Sequence, residues 1–185
     1  MEALETPLEG LLLVRPKVFR DGRGWFLETY NRDRFHAAGI TETFVQDNHS
    51  RSGRNTLRGL HFQSHPGQAK LVRCSAGKIW DVAVDIRPGS PSFGRHHGAI
   101  LTSEDAGQVF IPVGFAHGFL VLSEWAEVQY KCSNLYNAAT ETGIQWDDPD
   151  LGVPWPLEGR APLLSERDKH NQSFKAYQAG QGISR

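Results

Sequence analysis

Three polar side chains interrupt an otherwise apolar segment, TLRGLHFQ, at residues 56–63. They are Arg58, His61 and Gln63, on a stretch whose apolar bulk is typical of a buried strand. Burying a guanidinium or an imidazole costs free energy unless another group pairs with it. An imidazole can transfer protons or bind a metal, and a guanidinium can bind an anion. The segment therefore indicates either a ligand-binding site or an ordinary polar network in the core.

The spacing of Arg58 and His61 raises a geometric question. Side chains alternate along a strand, so a regular strand would place these two residues on opposite faces. Gly59 lies between them and could occupy a β-bulge, which would turn both side chains inward. In the alternative interpretation, Arg58 points to solvent and His61 is a hydrogen-bonded core histidine.

A second motif, IPVGFAHGF, places Pro112, Gly114 and His117 in a PxGxxH pattern that resembles the second half of the cupin signature. A metal-binding cupin also needs two closely spaced histidines and a glutamate earlier in the chain. Here the earlier segment is HFQSHPGQAK, with Gln63 where a second histidine is required. His96-His97 cannot substitute, because adjacent strand residues face opposite ways. We therefore expect no metal site.

Composition limits the other classes of function. The chain has 185 residues with 20 Lys plus Arg and 21 Asp plus Glu, which predicts one domain over residues 1–185. A general nucleic-acid-binding protein usually has a basic excess, so we expect no nucleic acid polymer as partner. The sequence contains no apolar run of membrane-spanning length and begins without a signal peptide pattern. Two isolated cysteines, Cys74 and Cys132, indicate reduced thiols and a cytoplasmic location.

Strand patterns dominate the middle of the chain. A short helix is predicted over NRDRFHAAG, with Asn31 as its cap and Gly39 as its end, and another near Ser165. We expect residues 174–185 to form a loosely held tail. Many short strands separated by turns predict an all-β fold with short peripheral helices, which could be a sandwich, a barrel or a jelly roll. Among these, the cupin-like PxGxxH pattern favours a cupin-type jelly roll (double-stranded β-helix). The predicted strand segments are residues 41–50, 57–63, 69–86, 107–122 and 126–136.

Polar residues on these strands fall on common faces. Gln46 and Asn48 share one face of their strand, and Lys70 shares a face with Val72. Asp81 lies opposite the apolar face of IWDVAVD. If these polar faces open into one end of the barrel, they line a pocket.

Five motifs together resemble the dTDP-4-dehydrorhamnose 3,5-epimerases, a family of cupin-fold isomerases. The resemblance runs from about residue 7 to residue 170, in the family's order and with nearly its spacing. It implies a dTDP-linked 4-keto-6-deoxy sugar as substrate, a homodimer, and no cofactor or metal, because the ketone is its own electron sink. The motifs are PKVFRDGRGWFLETYN, FVQDNHSRSGRNTLRGLHFQ, GKIWDVAVDIRPGSPSFG, IPVGFAHGFLVLSE and LSERD.

The implied reaction gives His61 a role. The C4 ketone acidifies the protons at C3 and C5, and inversion needs a base on one face and an acid on the other. By resemblance, His61 is the base and Asp168 is its carboxylate partner. Such a carboxylate fixes the imidazole tautomer and stabilises the cation formed after proton abstraction. From the residues alone, Asp168 could equally be a helix-cap residue.

The resemblance also assigns the other catalytic residues. Lys70 matches the residue that faces the C4 oxygen and stabilises the enolate. His117 is its companion, with Asp81 on the facing strand as partner. Tyr130 matches the acid that protonates the opposite face of the enolate. On periodicity alone, Tyr130 would be an ordinary half-buried strand tyrosine.

The remaining assignments concern the nucleotide. Arg23 and Arg58 match residues that hold the diphosphate, since a guanidinium binds phosphate oxygens in bidentate fashion. Phe19 and Phe26 belong to a segment that, in the family, reaches across the dimer, although Phe26 could instead be a core residue. Polar groups around the nucleotide are matched by Glu28, Gln46 and Asn48.

Two positions depart from the family pattern. A Tyr-Tyr pair near the base-binding end is here Leu135-Tyr136, so one stacking partner is lost or replaced. The usual SxKD is here SERD, with Arg167 in place of lysine, which retains the charge and changes its geometry. We assign Tyr136 and Arg167 to substrate binding.

Three other functions remain open at this level. Related enzymes of antibiotic-sugar pathways invert only C3, using the same residues. A metal-dependent cupin oxygenase is a second alternative, which the missing ligand set disfavours. The third is a non-catalytic sugar-nucleotide-binding module, which the combination of base, enolate stabiliser and acid disfavours. Our main prediction is epimerisation at both C3 and C5.

Overall fold

The computed structural model describes residues 1–182 and consists mostly of antiparallel strands. The strands are β1 (Glu2–Glu5), β2 (Leu12–Arg15), β3 (Val18–Asp21), β4 (Gly24–Leu27), β5 (Gln46–Gly53), β6 (Leu57–Gln63), β7 (Lys70–Ala76), β8 (Lys78–Asp85), β9 (His96–Thr102), β10 (Gln108–Ile111), β11 (Phe115–Val121), β12 (Trp125–Cys132) and β13 (Glu141–Gly143). The helices are α1 (Arg32–Ala37), a 3-10 helix (Asp168–His170) and α2 (Phe174–Gly180).

Two sheets form the barrel. A six-stranded sheet has the order β1-β2-β10-β7-β12-β5, and a five-stranded sheet has the order β13-β6-β11-β8-β9. One apolar cluster contains Val72 and Val128 from the first sheet and Ala83 and Phe119 from the second, so the sheets pack face to face. The predicted all-β jelly roll with short helices is confirmed. Strands β3 and β4 form a separate hairpin outside both sheets.

The outer face of the five-stranded sheet is covered by the C-terminal segment. Phe62 and Val82 on this face pack with Phe174 and Tyr177 of α2. The Tyr177 hydroxyl donates to the carbonyl oxygen of Ile86 at 2.7 Å. The prediction of a loose tail from residue 174 is therefore wrong, because the apolar side of α2 completes a second core. Residues 183–185 of that prediction lie outside the described residues.

The bulge predicted at Gly59 is confirmed. His117 of β11 pairs with His61 and Phe119 pairs with Arg58, so two residues of β6 lie opposite the single residue Gly118. Gly59 has a φ of +139°, and a Cβ built on it would lie 2.6 Å from the Gly118 Cα. Because His117 and Phe119 share the inner face, the extra residue places both Arg58 and His61 on that face, where His61 is partly buried and Arg58 remains exposed to solvent.

The predicted helices differ in outcome. Helix α1 begins after Asn31, whose side chain accepts a hydrogen bond from the Arg34 amide, and Gly39 follows its end with a φ of +88°. This prediction is confirmed. Near Ser165 the chain forms only the short 3-10 helix at Asp168–His170. No helix within residues 1–182 has the length and apolar character needed to cross a membrane.

Candidate active site

The centre of the site is a hydrogen-bonded pair formed by His61 and Asp168. His61 Nε2 lies in hydrogen-bond contact with Asp168 Oδ1, and the Asp168 side chain is almost fully buried. The Ser165 hydroxyl donates to Asp168 Oδ2 at 2.8 Å, and the Asp168 amide donates back to Ser165 Oγ at 3.1 Å. Burial opposes ionisation of Asp168, but the hydrogen bonds from His61 and Ser165 and the charges of His61 and Arg167 together hold its pKa below the usual value. The pair can therefore orient an imidazole and compensate a positive charge on it.

A second histidine–carboxylate pair lies beside the first. His117 is the cross-strand neighbour of His61, and its Nε2 is 2.8 Å from Asp81 Oδ2. Both side chains are buried. Asp81 was expected on the facing strand, but β8 is the neighbour of β11 in the same sheet. The other Asp81 oxygen, Oδ1, is buried without a hydrogen-bond partner among the described residues.

The opposite wall of the pocket comes from the six-stranded sheet. Lys70 of β7 and Tyr130 of β12 lie close together, with the Lys70 ammonium 5.9 Å from the centre of the Tyr130 ring. Burial lowers the pKa of Lys70, an effect that nearby Cys132 and Glu141 partly counteract. Burial also raises the pKa of Tyr130, so its phenol keeps its proton at neutral pH. A lysine whose ammonium is disfavoured by burial and a protonated phenol therefore face the two histidines.

Further polar residues line the pocket beside this wall. The Arg58 guanidinium donates to Ser52 Oγ from Nε at 3.2 Å and from Nη2 at 3.0 Å. Gln46 Nε2 donates to Asn48 Oδ1 at 3.1 Å, on the same face of β5. Arg58 also lies near enough to Tyr130 for its charge to act on the phenol. The bulge at Gly59 thus brings Arg58 to the same pocket as His61.

Sequence reasoning missed Glu141, which lies at the edge of this pocket. Its Oε2 accepts a 2.5 Å hydrogen bond from Arg167 Nη1. The Glu141 carboxylate, which can accept a hydrogen bond from the Tyr136 phenol, raises the pKa of that phenol. Glu141 begins β13, a strand of only three residues, and ETG has no alternation long enough to mark it. Its position opposite Gln63 in the β6–β13 pair is the signal, and that signal appears only in the fold.

Four of the predicted residues lie away from this pocket. The side chains of Phe19 and Phe26 are 52% and 70% exposed on the β3–β4 hairpin, which excludes a core role for Phe26 within this chain. Arg23, in the turn of the hairpin, pairs only with Asp21 among the described residues, at 2.6 Å. Glu28 accepts hydrogen bonds from Asn31 and Arg34 at α1, at 3.2 and 3.1 Å.

The pocket residues can also be tested for metal binding. Among residues 1–182, no three His, Cys, Asp or Glu side chains converge in a way that could hold a metal ion. His61 and His117 each direct Nε2 to a carboxylate instead.

The fold and this arrangement define a cupin-type barrel enzyme with acid–base groups on opposing sheets. A family model described as dTDP-4-dehydrorhamnose 3,5-epimerase matches residues 5–176. The chain therefore belongs to the dTDP-4-dehydrorhamnose 3,5-epimerase family, and it is an isomerase. The family predicted from the sequence motifs is confirmed.

Individual relatives agree over nearly the whole chain. A dTDP-4-dehydrorhamnose 3,5-epimerase of Pseudomonas aeruginosa is 49% identical over 175 residues, covering 94% of this chain and 96% of that protein. A Legionella pneumophila 3,5-epimerase crystallised with dTDP-4-keto-L-rhamnose is 44% identical with a TM-score of 0.93, covering 97% of this chain and 95% of that one. A 3'-monoepimerase of Streptomyces bikiniensis, in complex with dTDP-quinovose, is 34% identical with a TM-score of 0.88, covering 96% and 90%.

Proposed function

We propose that this isomerase converts dTDP-4-dehydro-6-deoxy-D-glucose to dTDP-4-dehydro-L-rhamnose by inverting C3 and C5, a step of dTDP-L-rhamnose biosynthesis. One observation carries the assignment of roles. His61 lies on the five-stranded sheet and is paired with Asp168 of the 3-10 helix, while Tyr130 and Lys70 lie on the six-stranded sheet that faces it. A sugar ring held between the sheets would present one face to a base and the other to an acid, which inversion requires.

The steps follow from these positions. His61 removes the proton from the carbon next to the ketone, and the electron pair moves to the C4 oxygen to form an enolate. The ammonium of Lys70 and the imidazole of His117 stabilise that oxygen, and Asp81 holds His117 in place. Tyr130 then donates its proton to the opposite face of the carbon. His61 returns its proton to solvent and Tyr130 takes one from solvent, so the enzyme is ready for the second centre.

The nucleotide would be bound along the same pocket. Arg58 supplies a guanidinium for the diphosphate, and Gln46 and Asn48 supply amides for the base or ribose. At the Glu141 edge of the pocket, Arg167 and Tyr136 complete the substrate contacts in our proposal. Arg167 occupies the position at which the family usually has lysine. Its guanidinium pairs with the Glu141 carboxylate, so this side chain has a carboxylate partner in place.

The proposal includes a homodimer in which the β3–β4 hairpin contributes to the partner's nucleotide site. Phe19, Arg23 and Phe26 project from the barrel, and each is more than half exposed. An aromatic ring stacked on a base contributes about 1–3 kcal/mol in nucleic-acid systems. Glu28 follows the hairpin and belongs to the same group in this proposal. The two buried cysteines form no disulfide, which supports a cytoplasmic location.

A coupled assay tests the reaction. The purified chain is incubated with dTDP-4-dehydro-6-deoxy-D-glucose, a dTDP-4-dehydrorhamnose reductase and NADPH, and the product is identified by NMR. Formation of dTDP-L-rhamnose is expected, since the reductase product has this configuration only after inversion at both centres. A product inverted only at C3 would favour the reaction of the Streptomyces bikiniensis relative. Absence of solvent deuterium at both C3 and C5 would overturn the proposal.

A further inference from the structure

Residues 135–137 combine exposed side chains with a firmly held backbone. The side chains of Leu135 and Tyr136 are 67% and 56% exposed. The backbone of this bridging segment (residues 135–137) is nevertheless hydrogen-bonded to two glutamine side chains, one from each sheet. Gln46 of β5 accepts from the Tyr136 amide at 2.8 Å. Exposed side chains on a backbone that is held in place by hydrogen bonds are expected of a segment that binds a ligand.

The second glutamine is Gln63, the last polar residue of TLRGLHFQ. Its Oε1 accepts from the Asn137 amide at 3.1 Å, and its Nε2 donates to the Leu135 carbonyl oxygen at 3.4 Å. Both ends of the amide are therefore used on either side of Tyr136. The Gln63 side chain is only 8% exposed, so the loss of these bonds would leave buried polar groups unpaired.

Gln63 is also placed to connect this segment with the reacting end of the pocket. It lies two residues after His61 on the same face of β6. Glu141, which acts on the Tyr136 phenol and pairs with Arg167, lies directly opposite Gln63 in the β6–β13 pair. The side-chain amide of Gln63 thus connects β6, which carries His61, to the bridging segment, which carries Tyr136.

We infer that Gln63 is a positioning residue for the sugar nucleotide, acting through the bridging segment. By holding the backbone on both sides of Tyr136, it keeps the phenol beside Glu141 before the substrate arrives. Preorganisation of this kind lowers the entropic cost of ordering the segment when substrate binds. Its loss should therefore affect substrate binding more than proton transfer. The inference depends on the proposed function, because it concerns the same substrate.

The test replaces Gln63 by Met, which retains length and removes both hydrogen bonds. For Gln63→Met we expect the KM for the sugar nucleotide to rise about tenfold, with kcat within about threefold of wild type. In a Tyr136→Ala background, the same replacement should change KM by less than about twofold, since the residue through which it acts is gone. Gln63→Glu, which retains the acceptor for Asn137, should raise KM by a smaller factor.

A matched control comes from another glutamine against β13. Gln172 Nε2 donates to Thr142 Oγ1 at 3.3 Å. Thr142 follows Glu141 in sequence and lies on the other face of β13. Gln172→Met should leave KM unchanged while removing a comparable amide contact. Amide hydrogen exchange at Tyr136 and Asn137 should become faster in Gln63→Met and not in Gln172→Met.

The outcomes separate the inference from the proposed function. An unchanged KM in Gln63→Met, or the same tenfold rise in the Tyr136→Ala background, would overturn the inference while wild-type turnover stands. A fall in melting temperature with KM unchanged would make Gln63 a purely structural residue. Failure of the wild-type chain to convert the sugar nucleotide would instead overturn the proposed function.

Discussion

Charged and aromatic residues have opposite environments in two regions of the molecule. One region is the pocket between the two sheets, and the other is the β3–β4 hairpin. In the pocket, His61 and His117 each have a buried carboxylate partner. In the hairpin, the Arg23 side chain is 91% exposed and pairs with Asp21 only two residues away. Its aromatic residues are also open to solvent, with Phe26 70% exposed.

The two regions therefore differ in whether their side chains are held in place by their own chain or are exposed to a second chain. The pocket is held together by its own chain, so its acid–base groups are in place without another subunit. The hairpin presents exposed aromatic side chains and an exposed guanidinium. We infer that one chain supplies the reacting half of the site and that the hairpin acts on a partner. The predictions below test the two halves separately.

The largest effect is expected from the base. His61→Ala should lower kcat by about 10⁴-fold, the upper end of the range for general bases. Binding of dTDP should survive, because the nucleotide contacts lie elsewhere. Asp168→Asn should be less severe, since the imidazole remains while its orientation and charge compensation weaken. The measurements are turnover, dTDP affinity and circular dichroism. Near-normal turnover in His61→Ala would contradict the assignment, and loss of folding would point to a core histidine.

Lys70 should show opposite effects on activity and stability. Lys70→Met should lower kcat by about 10²–10³-fold, as the loss of a group that stabilises an oxyanion does. It should also raise the melting temperature at neutral pH, because burial lowers the pKa of Lys70 and the folded state therefore disfavours its ammonium.

The pH dependence of unfolding checks the sign for Lys70. Between its lowered pKa and the ordinary value of 10.5, the unfolded chain binds more protons at this residue than the folded chain does. The Lys70 contribution to the free energy of unfolding therefore rises with pH across that window. Chemical denaturation should show this contribution in wild type and not in Lys70→Met. A variant that is less stable than wild type would show that Lys70 has a compensating partner.

Tyr130 tests whether base and acid act on different faces. Tyr130→Phe retains the ring and removes the proton that the raised pKa keeps on the phenol at neutral pH. His61 and Lys70 should still form the enolate, so deuterium should still enter at C3. We expect net inversion to fall about 10²-fold and exchange to fall much less, since His61 can return a proton to its own face. NMR of recovered sugar nucleotide measures both. Equal falls would assign Tyr130 to substrate positioning.

The smallest effect is expected in the hairpin. Arg23→Ala should weaken dTDP binding about tenfold, consistent with the loss of one charge-assisted contact. If Arg23 acts on a partner, mixing Arg23→Ala with His61→Ala chains should regenerate intact sites in about a quarter of the positions. Activity at low substrate concentration should then exceed that of either parent. No recovery after proven subunit exchange would place Arg23 in its own chain's site.

The central strands could be predicted because their alternation is strong. Segments around β5 to β8 and β10 to β12 read as strands, and the faces predicted for Val72 and Val82 match the two cores. Strands β1 to β4, β9 and β13 were not predicted. Apart from β9 they have only three or four residues and carry no clear period, while β9 begins with two histidines and a glycine, which interrupt the strand pattern of HHGAILT. Helix α2 was missed because Phe174 and Tyr177 pack against residues that are distant in sequence, and the local sequence does not show that surface.

The site was predictable only in part. The parity of Arg58 and His61 raised the question of a bulge at Gly59 and left it as one of two alternatives, between which the structure decides. The pairing of His61 with Asp168, 107 residues away, had no local signal and came from the resemblance. The structure adds the exposure of the hairpin and the contact between Glu141 and Arg167. Both depend on contacts between segments that are distant in sequence.

The bulge at Gly59 also affects how mutational data on this chain would read. Gly59 and Gly118 meet backbone to backbone, and a Cβ on Gly118 would lie 2.8 Å from the Arg58 carbonyl oxygen. A saturation scan scored by activity would therefore rank both glycines beside His61, although neither has a side chain to touch a substrate. Deleting Gly59 would leave Arg58 and His61 two residues apart, so a regular strand without the bulge would place both on the same face. With Gly59 present, the two side chains are three residues apart and share a face only because of the bulge, so an analysis of this strand by period two alone would place one of them outside the pocket.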